Sequence, residues 1–137
     1  MQLNAPKLFR QQAYINGKWS DADSGETAEV TNPSNNEVIG TVPNMGPDET
    51  RRAIEAANAA WPAWRAKTAK ERSDILRRWY NLMTEATDDL AKIMTLEQGK
   101  PLAEAAGEIA YGASFVEWFA EEARRLYGDV IPPHQAD

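Results

Sequence analysis

The sequence predicts an α+β order in which strands come first and helices follow. Three observations carry this reading. Asn16-Gly17 sits between short apolar flanks in Tyr14-Ile15-Asn16-Gly17-Lys18-Trp19. From Gly46 onward, apolar residues recur at helical spacing. Gly99-Lys100-Pro101 then reads as the stop of one helix and the start of the next. Three regions follow: β-hairpins over 1–45, helices over 46–128 and an extended exit over 129–137.

Asn-Gly suits a type I′ hairpin, where both central residues need positive φ. A second hairpin is expected from Ala28-Glu29-Val30-Thr31 and Glu37-Val38-Ile39-Gly40-Thr41-Val42. The Asn32-Pro33-Ser34-Asn35-Asn36 segment between them is turn chemistry. Gly46-Pro47-Asp48-Glu49 opens the first helix, with proline in the first turn and two acids at the positive end of the dipole. Ile54, Ala57 and Trp61 share a face of it, Pro62 should end it, and Trp61 and Trp64 should anchor the corner.

Thr68-Ala69-Lys70-Glu71 is a capping-box pattern for the second helix, whose apolar stripe is Ile75, Leu76, Trp79, Leu82 and Met83. Thr87 or Asp88 should cap a third helix that ends at Gly99. The fourth opens near Pro101 and is expected to reach Tyr127, with Gly128 as its stop. It would then be on the order of 40 Å long. Its small residues, Ala105, Ala106, Gly107, Gly112 and Ala113, leave room for another element, and Tyr111, Phe115, Trp118 and Phe119 read as core.

Composition excludes several function classes. The chain has 137 residues, 42% hydrophobic and 26% charged, which is ordinary globular material for about one domain. Its net charge of −6 speaks against a phosphate-backbone partner. Without cysteine these residues hold no disulfide, thiolate nucleophile or thiolate metal site. No apolar run approaches a membrane span, and Met1 to Gln12 lacks signal-peptide character, so the expected location is cytoplasmic. Two carboxylate pairs, Glu104/Glu108 and Glu117/Glu121, share helix faces at i, i+4. They read as solvated acids rather than acid–base pairs. His134 has no second histidine with which to bind a metal.

The whole chain resembles the N-terminal part of aldehyde dehydrogenases. The segments that carry the likeness occur in order: Tyr14 to Trp19; Val30-Thr31-Asn32-Pro33 with Glu37-Val38-Ile39-Gly40; Ala53-Ile54-Glu55-Ala56-Ala57; Glu71-Arg72-Ser73-Asp74-Ile75-Leu76; Thr95-Leu96-Glu97-Gln98-Gly99-Lys100-Pro101-Leu102-Ala103-Glu104-Ala105; and Phe115-Val116-Glu117-Trp118-Phe119-Ala120-Glu121-Glu122-Ala123. Leu8 to Ala13 and the exit Tyr127-Gly128-Asp129-Val130-Ile131-Pro132 resemble bacterial NADP-preferring succinate-semialdehyde dehydrogenases of 4-aminobutyrate degradation. Gly112 departs from that pattern, where alanine is expected.

The resemblance implies an α/β fold to which this segment contributes two hairpins and about four helices as an incomplete part of the cofactor-binding domain. It implies oxidation of succinate semialdehyde to succinate with NADP or NAD as cofactor, in a homo-oligomer (dimer or tetramer). Family catalysis uses a cysteine nucleophile, a glutamate that activates water and an asparagine at the oxyanion. No residue here matches those roles, so the 137 residues alone are expected to be inactive, to bind no cofactor, and to have neither nucleic-acid nor membrane partners. Two carry-overs remain. Thr31 and Glu97 match positions beside a structural cation in some relatives, and Tyr111 matches a position near the mouth of the substrate tunnel. The alternative is a stand-alone helical interaction or oligomerisation module.

Overall fold

The computed structural model describes residues 2–136. Positions 1 and 137, the outer ends of the expected hairpin and exit regions, lie outside them. Strands β1 (Ala13–Ile15) and β2 (Lys18–Ser20) form one antiparallel hairpin, and β3 (Thr27–Thr31) and β4 (Val38–Pro43) form another. Helices α1 (Pro47–Arg65), α2 (Ala69–Glu85), α3 (Thr87–Gln98) and α4 (Leu102–Glu122) follow. The expected order of two hairpins and four helices is therefore what the chain adopts.

Each hairpin turns where its polar residues tolerate positive φ. Asn16 and Gly17 have φ of 50° and 77°, and Tyr14 stands opposite Trp19 with ring centroids 5.1 Å apart. In the second turn the Asn35 and Asn36 N–H groups donate to the Asn32 carbonyl. The Asn32 side chain accepts from Ser34 N–H at 2.9 Å, an Asx turn.

The first helix runs past Pro62, contrary to the expected stop. The proline forfeits one donor near the end of the helix, and the next turn recovers the ladder, with Ala66 N–H donating to the Pro62 carbonyl at 3.0 Å. The end is finished from the next helix, because the Arg72 guanidinium donates to the carbonyls of Lys67 and Arg65. Trp61 is not a corner anchor: it is 53% exposed, while Trp64 is half-buried.

Thr68 caps α2 as its pattern requires. Its Oγ1 accepts from Glu71 N–H, and the Glu71 carboxylate takes Thr68 N–H at 2.8 Å, an arrangement worth about 1 kcal/mol. Neither Thr87 nor Asp88 caps α3. Ala86 ends α2 and precedes α3 directly, and the Thr87 hydroxyl donates back to the Thr84 carbonyl at 2.8 Å. The fourth helix stops at Glu122, short of Tyr127, so 21 residues give about 32 Å. There Arg124 and Arg125 N–H turn back onto the Glu121 and Glu122 carbonyls, and the Arg125 guanidinium pairs with the Glu122 carboxylate, which tightens and closes the last turn.

Helix α4 lies between α2 and α3 and presents its small residues to them. Ala91 of α3 and Ala105, Ala113 and Ala120 of α4 are at most 2% exposed, whereas no large side chain is fully buried among the described residues. Small side chains let the helix axes approach closely and leave bulky residues on the outer faces. Arg77 bolts α2 to α4, reaching Glu117 at 2.6 Å and Glu121 at 3.1 Å. No described helix is long and apolar enough to cross a membrane.

Two buried carboxylates tie distant segments together. Glu49, 6% exposed, accepts from Asp23 N–H and Gly46 N–H, each at 3.0 Å. Asp89, 3% exposed, accepts from Asn4 N–H at 3.0 Å and Ala5 N–H at 2.7 Å. The Asp23 amide holds Glu49 below its ordinary 4.5, and the Asn4 and Ala5 amides hold Asp89 below its ordinary 3.8. A depressed carboxylate stabilises the fold fully above its ordinary value and loses that contribution as pH falls through the lower, folded value. The amides of Asn4, Ala5 and Asp23 are therefore expected to keep their hydrogen-exchange protection down to pH 4.5 and to lose it at more acidic pH. Protection lost already between pH 7 and 5 would contradict this.

Candidate functional site

Two places collect the residues singled out by sequence. The first is the corner between α3 and α4. Gly99 ends α3 in the left-handed region at φ 78°, with its N–H on the Thr95 carbonyl at 2.8 Å. A Cβ there would lie 2.8 Å from Cγ of Pro33, so the β3–β4 turn rests directly on the helix corner. The Val30-Thr31-Asn32-Pro33 and Thr95-to-Ala105 segments thus meet in space. Thr31 and Glu97, each two residues from this contact, are both exposed. The described residues form no group of three or more His, Asp or Glu able to hold a metal ion. At the same corner Lys100 pairs with Glu108, which assigns that carboxylate to an ion pair.

The second place is the outer face of α4. Tyr111, Phe115, Trp118 and Phe119 are between 48% and 66% exposed, so they are not a core among themselves. Their spacing is the reason. The small residues at 105, 113 and 120 occupy the packed face, and the aromatics fall on the opposite one. The Tyr111 and Phe115 rings meet edge-on at 4.9 Å. Next to them, Phe115, Trp118 and Phe119 line an open groove of about 580 Å³ with Ser114, Glu117 and Glu121. Glu117 and Glu121 are bound to Arg77, so this pair is a structural clamp rather than an acid–base couple. The only charges lining that groove are acidic, which suits neither the diphosphate of a dinucleotide nor an anionic substrate. That lining by itself does not fit a nicotinamide dinucleotide. His134 is exposed in the extended exit.

A second exposed apolar surface lies on α2. Ile75, Trp79 and Leu82 are 45% to 58% exposed, beside the half-buried Leu76, Tyr80 and Met83. The apolar arc of α2 is thus wider than the part that its neighbours cover, while Asp74, Arg78 and Asn81 take the opposite side.

The profile of the aldehyde dehydrogenase family matches residues 19–137. The chain belongs to the aldehyde dehydrogenase family. Across all 137 residues it is 72% identical to a glutarate-semialdehyde dehydrogenase of Pseudomonas putida and 69% identical to the NADP(+) succinate-semialdehyde dehydrogenase of Escherichia coli K12. It spans 28% of the length of each. A crystal structure of an E. coli NADP-dependent enzyme superposes on 99% of the chain with a TM-score of 0.95 at 68% identity. A succinate-semialdehyde dehydrogenase from Burkholderia pseudomallei superposes on 98% with a TM-score of 0.94 at 60% identity. The chain covers 28% of each of those structures as well. Both E. coli enzymes are NADP-dependent.

Sequence reasoning missed the Asp89 and Glu49 clasps. An aspartate in the first turn of a helix reads as a dipole partner, and nothing local indicates that its acceptors serve amides 84 and 85 residues away. The Arg77 clamp had a faint signal, the i, i+4 spacing of Glu117 and Glu121.

Proposed function

We propose that this chain is the N-terminal scaffold of an NAD(P)-dependent dehydrogenase of a short ω-carboxylated semialdehyde, succinate or glutarate semialdehyde. The carrying observation is the identity of 72% and 69% to enzymes of those two substrates over every residue of the chain. The two chain lengths stand level by this measure, so the proposal takes in both. A nicotinamide cofactor, when bound in a complete enzyme, would supply the hydride acceptor for aldehyde oxidation. The residues present here do not supply the nucleophile, the base or the dinucleotide cradle. Their part is mechanical: the Arg77 clamp joins α2 to α4, and the Gly99–Pro33 corner and the two carboxylate clasps tie the helices to the hairpins and the N-terminal segment. The α4 aromatic face and the α2 stripe are then surfaces for the rest of the enzyme to cover, Tyr111 among those nearest the substrate. Thr31 and Glu97 stay in the proposal as oxygen donors to a structural cation, supported by the meeting of their two segments at the corner.

The purified 137-residue chain, mixed with either semialdehyde and NADP or NAD, is expected to give no absorbance change at 340 nm above the protein-free rate. Turnover would overturn the assignment of chemistry to other residues. The same exposed faces also suit a stand-alone oligomerisation module. A concentration-independent dimer with a single cooperative melt would favour that reading, and dye-binding monomers favour the scaffold.

A further inference from the structure

The two hairpins are two-stranded, and such ribbons are marginal unless something else holds them. Residues 4–12 touch every part that needs holding. At one end the Asn4 and Ala5 amides donate to the buried Asp89 carboxylate of α3, which also has Lys92 Nζ at 3.7 Å. A single 3-10 turn, Pro6–Leu8, redirects the chain. The Cζ–Cε1 edge of the Phe9 ring then abuts Gly40 of β4, where a Cβ would come 2.7 Å from Cζ. Gln11 Oε1 accepts from Thr41 N–H at 2.8 Å. That donor sits on the edge of β4 not paired with β3, so the glutamine satisfies an open strand edge. Gln12 Nε2 donates to both Asp21 oxygens at 3.1 Å, just past β2.

We propose that residues 4–12 act as a strap that fastens both hairpins to the helical layer, with Asp89 as its clasp. Closing the clasp positions β4, and through the β3–β4 turn it seats Pro33 on the Gly99 corner. The strap is a conformational device with a closed and an open state. It stands on contacts within the chain and is independent of the semialdehyde assignment.

A strap that works as one unit couples its ends, and coupling between two sites is reciprocal. Hydrogen exchange on the full 137-residue chain tests this with two variants at opposite ends. Asp89→Asn leaves one acceptor for two amides and is expected to speed exchange at Thr41 by about tenfold, although residue 89 does not touch Thr41. Gln11→Ala, an exposed change that leaves the helices intact, is expected to speed exchange at Asn4 and Ala5 by a similar factor. Amides of α2 and α4 keep wild-type protection in both. If each variant speeds only the amides it contacts, there is no strap, only two separate hydrogen bonds. Uniform acceleration across hairpins and helices would likewise overturn the proposal, because the clasp would then be a general stability element.

Discussion

Replacing Gly99 by alanine is expected to destabilise the fold by about 2–4 kcal/mol, combining a left-handed backbone penalty of about 1–2 with overpacking against a rigid neighbour. Gly99 has φ 78°, and the added methyl would lie 2.8 Å from Cγ of Pro33. A proline ring has no rotamer by which to move aside, so the β3–β4 turn must lift from the corner. The control is Gly107, inside α4 with open space around its missing Cβ. There the same substitution is expected to stabilise by about 0.5–1 kcal/mol, because alanine loses less conformational freedom in a helix. Denaturant melts of the two variants should therefore move in opposite directions. A Gly99→Ala chain as stable as wild type would mean the Gly99–Pro33 contact does not hold the corner.

The aromatic face of α4 predicts an effect that depends on how much of the enzyme is present. Trp118 is 58% exposed in this chain. Trp118→Ala in the 137-residue protein should shift stability by no more than about 0.5 kcal/mol, as for other surface changes. In a complete enzyme carrying the same helix, the proposal covers this face, and the substitution should cost about 3–5 kcal/mol. Fluorescent-dye binding by the 137-residue chain should fall in the variant, because the apolar surface that attracts the dye is reduced. A large loss of stability in the short chain would show that Trp118 already packs there. An equally small effect in the complete enzyme would remove the case for a covered face.

The fold was legible in this sequence wherever local chemistry decides geometry. Asn16-Gly17, the Thr68–Glu71 box and Gly99 each specify their conformation within a few residues, and each is found as read. The misreadings arose where a distant group decides. Pro62 normally stops a helix, but a guanidinium from the next helix finishes this one. Gly128 marks a plausible end of α4, yet Arg124 and Arg125 end it earlier by folding back onto Glu121 and Glu122. The aromatics of α4 have core chemistry, but the small residues that read as room for another element take the packed face, and the aromatics fall on the other side. The candidate site was legible chiefly through resemblance. Thr31, Glu97 and Tyr111 carry no chemistry that marks them, and all three are exposed.

As proposed above, these residues serve as a catalytically silent scaffold of a semialdehyde dehydrogenase. The most direct test of this role is a graft. Residues 1–137 replace the matching segment of the E. coli NADP(+) succinate-semialdehyde dehydrogenase, with which they share 69% of positions. The chimera should fold and oxidise succinate semialdehyde with kcat/KM within about tenfold of the parent, a change of about 1.4 kcal/mol in transition-state stabilisation. A soluble, cooperatively folded chimera without that activity would rule out this scaffold role.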